Sequence, residues 1–403
     1  MNLQENRCTR DKADKLVCGV SPPDQPLVNR MRTRPMLRPS LAPGGQSAIA
    51  NDLKLLNSAI RRAQASLLSL QHPEGFWLGE LEANSTLCCE YIVFMHWSGE
   101  INCDLQNRCV RLLLAKQLAD GGWSIYQGGP ARIDPSVKAY FALKLAGLNK
   151  RDPRMRPAAT LIRNFGGIEK TRYYTRFYLA RLGQVSWKDI PAIPVELMLA
   201  PRWLPINLYS VSAWTRAMLV PLAIIHHFKP TRNIPLECGI SELFTTPDHK
   251  VASPGDEWFS RGTKLLRWLQ GCGILPSPEA ALAAAAQWIL ARTGEGCNGL
   301  GAIFPSMLQV LIALRCLGYD TRGLVYRKAE VALQNLFLND SREFRIQPCL
   351  SPVWDTALSI ISLTESGIES RDPRIQKAAK WLAAQRVKIK GDWAVRRILR
   401  VEF

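Results

Sequence analysis

The chain has 403 residues, of which 47% are hydrophobic, and its 52 Lys and Arg against 34 Asp and Glu give a formal net charge of +18. This length suffices for two or three domains with a sizeable core, and no run reaches the roughly 20 apolar residues that span a bilayer. The charge is compatible with nucleic acid, an anionic membrane surface or solubility alone, because no block of consecutive basic residues favours one partner.

The cysteine pattern predicts an intracellular protein. Eleven cysteines are scattered without a Cys-x-x-Cys pair, and the five histidines do not fall at metal-ligand spacing around them. We therefore expect reduced, mostly buried thiols in the cytoplasm and no metal site. The first seven residues lack the apolar core of a signal peptide.

The chain divides into an extension and a helical region. Residues 1–47 are rich in Pro, Arg and Ser, which predicts a flexible N-terminal extension. From Ala48 onward helical patterns follow one another, and alternating β-branched runs bounded by turns are missing. We expect an all-α fold.

A skeleton of the form Gln-x(3–5)-Gly-x-Trp occurs three times, each time after an apolar helical run. We call each copy a staple. Glycine can take the left-handed conformation that ends a helix, and glutamine and tryptophan offer an amide plane and a flat aromatic face. We expect the amide to stack on the indole and to satisfy polar groups at neighbouring helix ends. The three copies are Gln71, Gly75, Trp77; Gln117, Gly121, Trp123; and Gln385, Gly391, Trp393.

A second similarity joins residues 151–162 and 371–382, which both open on Arg-Asp-Pro-Arg. In each, Asp is placed to cap a helix and Pro to occupy its first turn. Another helix with proline near its start and glycine at its end precedes each copy, at 135–147 and 352–367, and a third such helix is predicted at 305–318. Paired helices of this kind form either an α/α barrel or a linear solenoid, and the spacing alone does not choose between them.

The stretch Asp256–Gln270 has a different character. Its aromatic and leucine residues share one helical face, and basic residues lie away from that face. Such a helix can lie in a membrane interface, although a helix that packs on the core with a solvated back fits the same pattern. The irregular segment before it, roughly residues 226–255, is long enough to be a functional insertion.

The staples resemble the QW motifs of triterpene cyclases, and further stretches are similar to the bacterial squalene-hopene cyclase family. These stretches are residues 75–82, 204–216, 299–305 and 347–356, and the resemblance extends from about residue 48 to 395. It implies α/α barrels of the toroidal kind shared by terpenoid cyclases and protein prenyltransferases. It also implies cyclisation of squalene or a related polyprenyl lipid to hopene or hopanol, without a metal or an organic cofactor.

The resemblance assigns four residues to the substrate cavity. Trp354 matches a tryptophan of the cavity wall, and Ile303 and Pro305 match the segment beside it. Trp214 matches a tryptophan placed where the first cyclisation steps are contained. For each residue the alternative is an ordinary packed core position. A fourth repeat departs from the pattern, because Gly301 stands where a staple would have tryptophan.

The resemblance assigns no catalytic residue within this chain. In the family the acid belongs to an Asp-x-Asp-Asp-Thr-Ala motif some thirty residues after the position of Trp393, and no Asp-x-Asp-Asp occurs in this sequence. We therefore expect an N-terminal portion of a cyclase that is inactive alone. The expected parts are the extension, an N-terminal α/α barrel over 48–346, and the first helices of a truncated second α/α barrel over 347–403.

The sequence leaves other functions and partners open. One is a non-catalytic, membrane-associated helical scaffold. The excess of basic residues in 371–403, ten against three acidic residues, supports it. We expect peripheral, monotopic attachment to the inner face of the cell membrane, and either a complementing C-terminal chain or a homo-oligomer. A nucleic acid partner is not expected, because the basic residues are dispersed.

Overall fold

The computed structural model describes residues 43–191, 193–200, 207–246, 272, 277–293, 299–339 and 344–388. Most of the described residues lie in α-helices. A pair of short strands, β1 (Phe337–Asn339) and β2 (Phe344–Ile346), also occurs. The helices are α1 Pro43–Ser69, α2 Thr86–Ser98, α3 Cys103–Ala115, α4 Ile133–Leu145, α5 Met155–Asn164, α6 Tyr173–Ala180, α7 Ala213–Phe228, α8 Pro278–Leu290, α9 Phe304–Cys316, α10 Leu324–Gln334, α11 Pro352–Glu365 and α12 Pro373–Ala384.

The chain separates into two compact units, one up to Ser69 and one from Leu70 onward. In the first unit, the structure describes the helix α1, which begins at Pro43, five residues before the predicted start of helical structure. Residues 1–42 lie outside the described part, so a flexible extension there stays a prediction.

Helices of two kinds alternate in the second unit. α4 and α9 are buried around their whole circumference over most of their length. α5 buries a single stripe of Met155, Ala158, Ala159 and Ile162, and exposes polar residues on its other face. The one-sided helices pack on the enclosed ones that precede them: α5 contacts α4, and α10 contacts α9. A helix buried all round needs neighbours on every side, so this alternation gives an inner and an outer layer of helices.

The sequence did not predict the hairpin. β1 and β2 pair antiparallel with Phe337 opposite Ile346, and Gln347 N–H extends the pairing by donating to Leu336 O. Three-residue strands are too short to produce an alternating pattern that stands out from the surrounding helices. Apart from this hairpin and the bridge between Ile303 and Cys349, the described residues agree with the all-α prediction.

Two prolines stand at the predicted helix starts. Pro352 and Pro373 occupy the first turns of α11 and α12, and the side chain of Asp372 caps α12 by accepting from Arg374 N–H. Asp152 plays a related part before α5, where its Oδ1 accepts from Arg154 N–H at 2.8 Å. Both Asp side chains accept from the N–H two residues on, but α5 begins only at Met155, so the prediction that Pro153 occupies its first turn is wrong.

We expect His226 to make the stability of the fold depend on pH. Its ring stacks on Phe177 with 5.1 Å between centroids, and its Nε2 lies 2.6 Å from Tyr173 OH. Burial lowers the pKa of His226 to about 4. An unfolded histidine takes up its proton near pH 6.5. The contribution of this burial to the free energy of unfolding is therefore fully present above pH 6.5. It decreases as the pH falls from 6.5 to about 4, by at most about 1.4 kcal/mol per pH unit.

Urea unfolding between neutral pH and about pH 5 measures this effect. His226→Gln should lose the fall in stability, whereas the same change at the exposed neighbour His227 should keep it. An equal pH dependence in the protein and in His226→Gln would show that burial of this ring is not its source.

Candidate functional site

The staple Gln117–Trp123 joins a loop to the start of α5. Gln117 Nε2 donates to two carbonyl oxygens, that of Gly121 at 2.8 Å and that of Arg154 at 2.9 Å. Gly121 has a φ of +89°, and a methyl group there would lie 2.6 Å from Pro157 Cβ. The loop thus presses directly on the turn that begins α5.

The staple Gln71–Trp77 repeats this arrangement at a distant place in the chain. Gln71 Nε2 donates to Gly75 O at 2.8 Å and to Arg374 O at 3.0 Å. Gly75 has a φ of +105°, and a methyl group there would lie 3.1 Å from the backbone of Lys377 in α12. Each of these two staples therefore binds one of the two Asp-Pro-Arg turns.

The tryptophans complete the same pattern. Trp123 is fully buried, its backbone N–H donates to Ser136 Oγ at 3.0 Å, and its Nε1 donates to Leu113 O at 2.8 Å. Trp77 is also buried, and its backbone N–H donates to Thr356 Oγ1 at 2.9 Å. Sequence reasoning missed both hydroxyl residues. Their common signal is a Ser or Thr near the start of the helix that precedes each Asp-Pro-Arg turn.

The remaining staple is described only in part. Gln385 directly follows α12 and is exposed. Gly391 and Trp393 lie outside the described residues, and so does the predicted amphipathic helix Asp256–Gln270. Their predicted roles stay predictions.

The fourth repeat lacks its tryptophan for a steric reason. Gly301 has a φ of +67°, and a methyl group there would lie 2.8 Å from the side chain of Ala217 in α7. A large side chain pointing in that direction would collide with α7. The glycine instead allows α7 to approach the loop before α9 closely.

The four predicted cavity residues lie at the starts of three helices. Trp214 is in the first turn of α7 and is 64% exposed, and Trp354 is in the first turn of α11 and is 69% exposed. Ile303 and Pro305 flank the start of α9 and are half-buried. Neither tryptophan is a packed core residue in the described structure.

Backbone contacts bring these helix starts together. Ser306 Oγ in α9 donates to Ala217 O in α7 at 2.7 Å. On the other side, Phe304 N–H donates to Pro348 O at 2.8 Å, next to the bridge between Ile303 and Cys349. Ile303 and Pro305 therefore lie between the segments that carry Trp214 and Trp354, although no ring contact joins these two tryptophans within the described residues.

An apolar cavity of about 70 Å³ lies against α7. The 3₁₀ helix Val195–Leu199, the turn Leu208–Ser210 and the α7 residues Leu219, Val220 and Ala223 line it. The volume is far below the roughly 300–1,000 Å³ of a typical ligand pocket. By itself, this cavity is too small to enclose a large ligand.

Asp355, beside Trp354, serves as a hydrogen-bond acceptor. Its Oδ2 accepts from Gly79 N–H at 3.0 Å, and its Oδ1 accepts from Ser351 Oγ at 2.9 Å. Each oxygen thus has a hydrogen-bond donor. This carboxylate ties the loop after Trp77 to the start of α11.

Two further features concern metals and membranes. Within the described residues, no three His, Cys, Asp or Glu side chains come together in a way that could hold a metal ion. None of the described helices is both long and apolar enough to cross a bilayer.

The described helices form layers, and two staple glutamines tie them to the Asp-Pro-Arg turns. The chain has the all-α barrel fold of terpenoid cyclases. Residues 60–342 match the squalene-hopene cyclase N-terminal domain, and residues 350–400 match the corresponding C-terminal domain. The chain belongs to the squalene-hopene cyclase family.

Individual relatives agree with this assignment. The squalene–hopene cyclase of Alicyclobacillus acidocaldarius is 34% identical over 341 residues, which cover 83% of this chain and 54% of the relative. A probable squalene–hopene cyclase of Sinorhizobium fredii is 36% identical, covering 88% and 56%. The dammaradiene synthase of Dryopteris crassirhizoma is 30% identical, covering 82% and 49%. The chain thus spans about half the length of the curated relatives it matches.

We expect Gly121→Ala to destabilise the fold more than Gly147→Ala. Both glycines have a positive φ, of +89° and +97°, so each variant pays the left-handed cost of about 1–2 kcal/mol. Open space surrounds Gly147, whereas the new methyl at 121 would also push against Pro157, which adds roughly 1–3 kcal/mol. Urea unfolding measures the difference, and equal losses would mean that the staple loop does not press on α5.

Proposed function

We propose that this chain forms the N-terminal part of a triterpene cyclase that converts squalene, or a related polyprenyl lipid, into hopene or hopanol. The observation that carries the proposal is the placement of Trp214, Ile303, Pro305 and Trp354 at three adjoining helix starts in a member of this family. The names of the relatives from Alicyclobacillus and Sinorhizobium support the reaction.

The chemistry explains why aromatic residues suit this place. A cyclisation that proceeds through carbocations needs π faces that stabilise positive charge without acting as a base. Trp214 and Trp354 present largely exposed indoles, and the cavity beside α7 is lined mainly by apolar side chains. We propose that these surfaces form one wall of the substrate cavity.

We propose further that the general acid is not supplied by these 403 residues. Asp355 is the carboxylate beside Trp354, and both its oxygens are engaged in hydrogen bonds, with Gly79 N–H and Ser351 Oγ. An acid for alkene protonation must instead be held protonated in a dry pocket. The sequence contains no Asp-x-Asp-Asp to fill that role.

Incubation with squalene in detergent tests this division of labour. The purified chain is assayed alone and mixed with a polypeptide that carries the portion of the Alicyclobacillus relative beyond the matched region. We expect hopene only from the mixture. Hopene formed by the chain alone would contradict the proposed lack of an acid, and a mixture that binds squalene but forms no product would favour the non-catalytic scaffold.

Two variants test the cavity wall in the active mixture. Trp354→Ala removes a cation-stabilising face worth about 2 kcal/mol when desolvated, so product formation should fall about tenfold or more. Leu324→Ala removes a similarly exposed side chain from α10 and should leave the rate unchanged. Equal rates of product formation in the two variants would show that Trp354 is not part of the cavity wall.

We also propose that the protein attaches peripherally to the inner face of the cell membrane. The net charge of +18 and the exposed cations around the start of α5, which include Arg151, Arg154 and Arg156, support attraction to anionic lipid. Without catalysis, the same surface would serve the scaffold function.

Flotation with vesicles measures the attachment. The full chain should float with vesicles that contain phosphatidylserine, and less with neutral phosphatidylcholine vesicles. Added salt should weaken the binding, because exposed charges are screened. Equal flotation with both vesicle types would show that charge does not drive attachment.

A further inference from the structure

The helix α11 is less buried than the helices that resemble it in sequence. Like α4 and α9, α11 has a proline in its first turn, a glycine with positive φ just beyond its end, and a one-sided helix after it. α4 and α9 are buried on all sides over most of their length, whereas only Thr356, Ser359 and Leu363 of α11 are buried. Within the described residues, α11 therefore has the features of an inner helix but is covered on one side only.

The opposite side of α11 carries an apolar row. Trp354, Leu358 and Ile361 are 69%, 48% and 55% exposed and stand four and three residues apart, so they share one face of the helix. At about 100° of rotation per residue, this face lies roughly opposite the three buried residues of α11. We call Trp354, Leu358 and Ile361 the α11 face. A continuous row of large exposed apolar side chains is typical of a surface that binds another protein element.

The glutamine of the third staple lacks a turn among the described residues. Gln71 and Gln117 each donate to the arginine carbonyl of an Asp-Pro-Arg turn, and the sequence contains only the two Asp-Pro-Arg segments that these glutamines bind. Gln385, at the end of α12, is exposed, and its side chain makes no hydrogen bond with another described residue. Gln385 can therefore bind a turn that a further helix pair supplies.

A single helix pair would satisfy both the α11 face and Gln385. α11 and α12 pack against each other, so these two features belong to one pair of helices. In the pair of α4 and α5, an enclosed helix is followed by a one-sided helix, and an Asp-Pro-Arg turn precedes the second helix. In a further pair of this kind, the enclosed helix would cover the α11 face with its own apolar side. Its connecting turn would offer Gln385 a carbonyl oxygen.

We propose that the α11 face and Gln385 together bind a helix pair from a polypeptide that carries squalene-hopene cyclase C-terminal sequence beyond the matched residues 350–400. The Alicyclobacillus relative extends well past the matched region, which covers 54% of it. A second copy of this chain suits the surface less well, because its two Asp-Pro-Arg turns are already bound by its own Gln71 and Gln117. The proposal rests on the N-terminal role proposed above, but it concerns assembly and not the reaction.

Co-purification tests the docking. The full chain carries an affinity tag and is co-expressed with the portion of the Alicyclobacillus relative beyond the matched region, and we expect the two polypeptides to be recovered together. Ile361→Arg places an unpaired charge in the α11 face and should lower the amount of recovered partner at least about tenfold. Val331→Arg is the matched control, because Val331 is 54% exposed on α10, and it should leave the recovery unchanged. Equal recovery with both variants would overturn the proposal.

A second pair of variants tests the staple. Gln385→Ala should lower the recovery about fivefold, because it leaves a carbonyl oxygen of the partner without its donor. Gln376→Ala is the control on the same helix, since Gln376 Nε2 donates to Ser370 O within this chain, and it should have no effect. Unchanged recovery with Gln385→Ala would contradict the role of the staple.

A hybrid chain answers the question if the partner polypeptide is insoluble. The sequence of the relative then follows residue 400 directly, and a maleimide labels a cysteine introduced by Ile361→Cys or Val331→Cys. The cysteine at 361 should react much more slowly in the hybrid than in the 403-residue chain, and the cysteine at 331 equally fast in both. Equal labelling rates at 361 in the two chains would refute the docking.

Two further outcomes separate this proposal from its alternatives. A complex that forms without yielding hopene supports the docking surface and counts against the cyclase function. Dimers of the chain alone that Ile361→Arg dissociates would overturn the proposal in favour of a second copy.

Discussion

The glutamines of the two fully described staples, Gln71 and Gln117, impose the constraint on which the rest of the second unit depends. One amide nitrogen bridges two carbonyl oxygens, one from the glycine of its own loop and one from the arginine of an Asp-Pro-Arg turn. The backbone N–H of each tryptophan then donates to a hydroxyl in the helix that precedes the Asp-Pro-Arg turn, Ser136 in α4 or Thr356 in α11. Each bond contributes only about 1 kcal/mol, but leaving a buried partner unpaired costs more. Together they fix each of these two staple loops against the pair of helices on either side of an Asp-Pro-Arg turn.

The candidate site follows from this framework. Because Gln71 and Trp77 fasten their loop to α11 and α12, the start of α11 is fixed, and Asp355 adds a further tie to Gly79. The bridge between Ile303 and Cys349 then places the segment before α11 beside the start of α9. Rigid backbone contacts thus hold the largely exposed tryptophans. An exposed aromatic side chain on a fixed helix start is more typical of a ligand surface than of a core.

The sequence predicts the individual helices and turns of this fold better than the long-range contacts between them. Recurrent spacing indicates the staples, the helix pairs and the Asp372 cap, because glycine, proline and capping residues act locally. Spacing could not show that Gln71 meets Arg374, 303 residues away, since that pairing depends on how the helical layers close. It also could not show the hairpin at Phe337, because the pairing of such short strands arises only in the folded chain. The resemblance supplied Trp214 and Trp354, and their grouping at adjoining helix starts became visible only in the structure.

The claim that the first staple holds the start of the second unit to α11 is tested most directly by native-state hydrogen exchange. The amide of Trp77 is buried and bonded to Thr356 Oγ1, 279 residues away. It should exchange as slowly as the amide of Trp123, and Thr356→Val should accelerate Trp77 while leaving Trp123 unchanged. Fast exchange of Trp77 in the unaltered protein, at the rate of an exposed loop amide, would contradict the account.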